Sequence, residues 1–132
     1  MDRIELKRAC LAELDAVAVE HPAGHQGKLA ARYVLLAPSR KNFEMMFEKA
    51  PGTKANLWVL LEAGSGLLDA GIPYRLSPAA GTYATKDSNG KPMYGRHSAL
   101  RPMTQLANAD LICFSVERPG QMSILLEHLR SL

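Results

Sequence analysis

Asn56–Ala63, NLWVLLEA, is the stretch from which the architecture is read. Leu57 to Leu61 form an unbroken apolar run, and Trp58 is the only tryptophan in the chain. A run of strand length without alternation implies a strand covered on both faces, so this segment is read as the central strand of a sheet. The tryptophan is assigned to packing, because a large ring in such a run is more often core than ligand platform. Glu62 falls at the strand end, where active-site groups of sheet proteins often lie.

Toward the C-terminus, Gly64–Gly66 open a turn and Leu67 to Ala70 can make one helical turn before Gly71. Ile72 to Leu76 reads as a short strand, and Pro73, which has no N–H to donate, places it at an edge. Thr82 to Lys86 and Lys91 to Tyr94 flank an Asn89–Gly90 turn signal and read as a hairpin. Pro102 then starts a helix with a Met103, Leu106, Ala107 face that Asn108 terminates. Asp110 to Val116 is another apolar strand, and Pro119 opens a final helix with Met122, Leu125, Leu126 and Leu129 on one face.

Toward the N-terminus, Leu29 to Ala37 ends in a buried strand, YVLLA, bounded by Pro38. Between the two strands, Phe43, Met46, Phe47 and Ala50 recur at helical spacing, so a helix capped by Ser39 or Asn42 is expected, ended by Pro51 and Gly52. The chain begins with a capping box, Asp2 to Glu5, followed by a helix to about Glu20 with Ile4, Leu11, Leu14 and Ala18 facing inward. His21 and His25 are four apart, but Pro22 and Gly24 break the helix that would set them side by side, so no metal site is expected. Gly24 to Lys28 lacks the spacing and the hydroxyl of a phosphate loop. Helices and strands interleave, which gives an α+β or α/β class: a single mixed sheet of about four to six strands flanked by three or four helices. The 132 residues fit one domain, 1–132.

Composition narrows the function. With 47% hydrophobic and 22% charged residues the chain can build a core and is not of a disordered type. Cys10 and Cys113 lie singly in apolar segments, so neither a disulfide nor a zinc ribbon is expected. Neither a secretory signal nor a membrane span is expected from these residues, and a cytoplasmic location is the expectation. The net charge of +3 is gathered in one place: residues 72–109 hold five basic groups and one acidic group. A local positive field of that kind favours an anionic partner.

The basic groups concentrate in Lys86–Arg101, KDSNGKPMYGRHSALR. Lys91, Tyr94, Arg96, His97, Ser98 and Arg101 all precede the helix expected at Pro102. Free amides at a helix start, a hydroxyl and guanidinium forks are what a bound anion requires. Lys86 extends this surface along the hairpin, and Arg40 and Lys41 form a secondary site where the second helix would begin. Lysines beside Tyr83 and Tyr94 suit a polymer whose phosphates meet the charges while a base stacks on a ring, so nucleic acid is the leading ligand. No cofactor is implied.

Two other classes compete. The edge strand at Ile72–Leu76 and the last helix offer surfaces for partner binding or a homo-oligomer. A phosphate-ester enzyme would use His97 as acid or base with Arg96 and Arg101 on the phosphate and Glu62 nearby. His97 and Ser98 are adjacent, however, and so point apart in an extended segment; no Glu-x-Lys of a metal nuclease falls in an expected strand. Binding rather than catalysis is therefore the reading.

Overall fold

The central position expected of the apolar run is occupied by β4 (Ala55–Leu60), inside a sheet of six strands. The computed structural model describes residues 1–132. In chain order the elements are α1 (Arg3–Val17), β1 (Val19–Glu20), β2 (Ala30–Leu36), β3 (Asn42–Glu48), β4, α2 (Leu61–Gly64), β5 (Tyr74–Ser77), β6 (Leu111–Val116) and α3 (Pro119–Arg130). The strand order is β1-β2-β3-β4-β6-β5. This is an α+β fold, but the sheet is not mixed: every pairing is antiparallel. Parallel neighbours need a crossover connection, usually a helix. Here the two long helices stand at the ends of the chain, and the one helix between strands, the four-residue α2, joins β4 to β5, which are separated by β6 and do not pair.

β4 is covered on both faces. Leu57 and Val59 point into a core shared with Phe47 of β3, Phe114 of β6, Cys10 and Leu14 of α1, and Leu125 and Leu129 of α3. Trp58 points the other way, into a smaller cluster with Met46, Cys113, Leu100, Met103 and Leu106. Trp58 Nε1 donates to Glu48 Oε2 at 2.9 Å, and the Arg75 guanidinium lies 4.7 Å from the ring centroid. The tryptophan is thus a satisfied core residue capped by a cation on its open side. α1 begins as its sequence demands, with Asp2 accepting from the Glu5 amide at 2.8 Å. Its last expected residues instead leave as β1, where Val19 pairs with Val34 and Glu20 with Tyr33. α2 lies hard against β6: a Cβ on Gly64 would come 2.7 Å from Ile112 Cγ2, so only glycine fits there.

Three expected elements are different. The segment read as a second helix is β3, paired along its whole length with β2 from Ala30↔Glu48 to Leu36↔Asn42. The helical reading rested on Phe43, Met46, Phe47 and Ala50 and gave Glu44 and Glu48 no part. Both are buried, on the same side as Met46, because each finds donors across the sheet. Glu62 accordingly lies in α2 rather than at a strand end, and α2 with a 3-10 turn at Ser65–Leu67 replaces the turn expected at Leu67–Ala70. Pro102 starts no helix; Ser98–Leu100 form a short 3-10 turn and the chain continues in turns to Asp110. The reason is that the amides of Gln105 and Leu106 donate to the Glu44 carboxylate, at 2.8 and 3.2 Å, instead of to carbonyls four residues back. The Asn89–Gly90 turn does form, with Gly90 at φ 78, but its arms share only the bridge Lys86↔Pro92. Pro92 has no N–H for a ladder, and Asp87 Oδ1 instead takes the amides of Asn89 and Lys91.

Cys10 and Cys113 are free and buried. Burial pushes their thiols up to about 11 and about 12 respectively. Burial also raises the Tyr33 phenol, helped by its bond to Asp15. Unfolding restores ordinary values, so above about pH 9 the unfolded chain binds fewer protons than the folded one and stability falls. The urea midpoint is expected to drop between about pH 8 and about pH 10.5. An unchanged midpoint over that interval would contradict the burial of these groups.

Candidate nucleic-acid interface

From Pro78 to Asp110 the chain crosses one face of the sheet with no strand and only two 3-10 turns. Irregular segments longer than about 15 residues in a compact fold usually serve a function. This one is held down by charged side chains acting inward. Arg96 donates from Nε to Ser77 Oγ (3.0 Å) and from Nη2 to the Ser77 carbonyl (2.7 Å) at the end of β5. Its Nη1 reaches the carbonyls of Leu106 (3.3 Å) and Ala107 (3.1 Å). At the opposite side of the face, Arg32 of β2 donates to the Ala99 carbonyl at 2.7 Å and to that of Gly24 at 2.9 Å. Between them, Glu44 of β3 holds Gln105 and Leu106 as described above.

The residues singled out in the sequence therefore separate into two sets. Arg96 is a clamp, its fork already spent on carbonyls. His97 caps the 3-10 turn: its Nδ1 accepts from the Ala99 amide at 3.1 Å, which puts the proton of the neutral ring on Nε2. That nitrogen then donates and cannot serve as a base. Ser98 Oγ accepts from Gln26 Nε2 at 2.9 Å, tying the segment to the loop before β2. Tyr94 is half-buried, with its hydroxyl donated to the Ala107 carbonyl at 2.8 Å. Burial raises its phenol pKa, opposed by the nearby charges of Arg96 and Arg101. Lys86, Lys91 and Arg101 are exposed, and none of them is in an ion pair.

Around Tyr94 these free groups form a surface. Tyr83 packs edge-on against it with ring centroids 5.8 Å apart, and Tyr83 itself is 45% exposed. Lys86 pairs with Pro92 in the bridge that closes the Asn89–Gly90 turn, and Lys91 precedes Pro92 in the chain. Arg101 is close enough to bear on the Tyr94 phenol. The outcome is an exposed aromatic ring packed on a second ring whose hydroxyl is held, in a segment that also carries three exposed cations outside any ion pair. The anion site expected at a helix N-terminus is absent, because there is no helix at Pro102.

Arg40 and Lys41 do not join this surface. They lie in the turn between β2 and β3, where Arg40 has φ 65, not at a helix start. β3 is three strand spacings from β5, roughly 14 Å at about 4.8 Å each. Lys41 instead lines a small cavity with Glu62 and Gln105. His21 and His25 are likewise structural: each Nδ1 accepts a backbone amide, from Ala23 and Arg32 respectively, while each Nε2 faces a glutamate. No three His, Cys, Asp or Glu side chains gather as metal ligands. No helix is long and apolar enough to cross a membrane.

The sequence reading missed Gln26, Arg32, Glu44 and His21 as the groups that position the covering segment. Only long-range contacts reveal them, since Glu44 and Gln105 are 61 residues apart. Comparison of the chain with protein-family models, with curated proteins and with solved structures finds no match.

Proposed function

We propose that the protein is a non-catalytic binder of single-stranded nucleic acid, using the exposed side of Thr82–Arg101. The observation that supports this is the exposed Tyr83 ring, packed on Tyr94 in the same segment that carries the exposed Lys86, Lys91 and Arg101. A base stacked on an aromatic face contributes about 1–3 kcal/mol whatever its identity, and lysines or arginines beside it meet the phosphates. Single strands expose the base faces that such a ring needs, which duplexes do not. The His97 geometry weighs against a phosphate-ester enzyme that uses this ring as its base, because the acceptor nitrogen is committed to a cap.

The test is a titration of a fluorescent oligothymidylate with the intact chain across salt concentrations. Three phosphate contacts give a slope of log affinity against log salt of about −2. Lys86→Ala, Lys91→Ala and Arg101→Ala are each expected to reduce that slope by about 0.7, and Tyr83→Ala to weaken binding by about fivefold to a hundredfold at any salt. An affinity unchanged in a folded triple lysine and arginine variant would overturn the proposal. So would an absence of binding at low salt. A mass that rises with concentration in the absence of oligonucleotide binding would shift attention to β5, the open edge where Tyr74 and Leu76 are exposed between Pro73 and Pro78.

A further inference from the structure

A cavity of about 600 Å³ lies along α1, against the turn that follows β3, and shares no residue with the surface around Tyr83. Its apolar lining comes from Ile4, Leu11 and Pro51 together with the aliphatic stems of the basic residues beside them. Ile4 was expected in the core stripe of α1, yet it is 64% exposed and faces this groove. Its charges are unbalanced, with Arg3, Arg8 and Lys49 on the rim. The one acid, Asp15, stands at the far end and already accepts from the Tyr33 hydroxyl at 2.7 Å.

The groove is preformed. Lys7 is 6% exposed, and its Nζ donates to the Ala50 carbonyl at 2.5 Å and to Thr53 Oγ1 at 2.9 Å, which fixes the turn against the helix. Burial lowers the pKa of this amine below the usual lysine value, partly offset by Glu48. A ligand entering a cleft with fixed walls loses little to ordering of the protein. From Arg3 to Asp15 the helix rises roughly 18 Å, so the groove is long, with Arg3, Lys7 and Arg8 in the first half of its helical wall.

From this arrangement we infer that the α1 groove binds a long-chain fatty acid, its carboxylate held by Arg3, Arg8 and Lys49 and its acyl chain laid along Leu11 toward Asp15. Charge complementarity selects an anionic head, and the apolar surface of Ile4, Leu11, Ala12 and Pro51 suits an aliphatic tail. The volume lies within the roughly 300–1,000 Å³ of small-molecule sites.

Calorimetric titration of the intact chain with lauric acid, dodecylamine and butyric acid, each below its micellar concentration, separates the contributions of head and tail. Lauric acid is expected to bind in a one-to-one complex, with dodecylamine at least about tenfold weaker and butyric acid undetectable. The double variant Arg8→Glu/Lys49→Glu is expected to lose about tenfold for lauric acid and to gain for dodecylamine. Ala12→Trp, a change at an exposed helical position that fills the channel, is expected to abolish binding with the helical signal intact. Equal affinity for lauric acid and dodecylamine would overturn the inference, as would lauric acid binding that survives Ala12→Trp or no lauric acid binding at all. None of these results depends on whether oligonucleotide binds at Tyr83.

Discussion

Glu44→Ala is expected to destabilise the folded chain by about 3–5 kcal/mol, the largest effect of any single polar substitution proposed for this protein. The carboxylate is buried and accepts three bonds: His21 Nε2 at 2.6 Å on one oxygen, and the amides of Gln105 (2.8 Å) and Leu106 (3.2 Å) on the other. His21 Nδ1 accepts from the Ala23 amide, so the proton of the neutral imidazole sits on Nε2 and points at Glu44. Alanine leaves all three donors without an acceptor in a site that water reaches poorly. Each orphaned donor costs about 1–3 kcal/mol, and the parts are not fully additive. Because two of those donors belong to the covering segment, Ala99–Ala107 should open before the rest of the sheet. Urea unfolding measures the loss, and limited proteolysis locates it. Glu44→Gln keeps one acceptor and should cost less than alanine. A Glu44→Ala chain as stable as the parent would mean that these three bonds contribute nothing.

Arg96→Ala is expected to cost about 2–3 kcal/mol, whereas Arg101→Ala should change stability by less than about 0.5 kcal/mol. The two arginines are five positions apart in one basic stretch and look equivalent by composition. In the fold, the Arg96 guanidinium joins the end of β5 to the Leu106–Ala107 turn through both carbonyls and Ser77. Its fork is matched to three carbonyls and a hydroxyl, so Arg96→Lys should recover only part of the loss. Arg101 contributes its charge to the surface around Tyr94. A urea comparison of the two alanine variants is decisive: equal stabilities would remove the clamp. The distinction also governs binding experiments, because affinity lost in Arg96→Ala would report a loosened segment rather than a missing phosphate contact.

How much of this was readable without coordinates depended on whom each residue has for a partner. α1, β4, β6 and α3 were legible because their signals are local. The Asp2 cap closes within three residues, a run such as LWVLL is apolar whatever surrounds it, and the Leu125–Leu129 stripe needs only one apolar layer to rest on. β5 was legible for the same reason, since Pro73 limits pairing through a property of its own ring. The basic character of Lys86–Arg101 and the absence of a spaced cysteine pair are likewise written in the residues themselves.

By itself, then, the sequence determined an α+β chain with one sheet, a helix at each end, buried thiols and a positive field gathered in the middle segment. The tertiary structure alone decided that Phe43–Glu48 is a strand, that the residues after Pro102 form no helix and that Arg96 turns inward while Arg101 stays in solvent. It also left Ile4 facing an open groove instead of the core. The physical reason is common to these cases. A polar or charged side chain is placed by donors and acceptors distant along the chain, and Glu44 and Glu48 can be buried only because His21, Gln105, Asn56 and Trp58 meet them there. Periodicity records the preference of each residue for water or oil, not the partner that makes burial affordable.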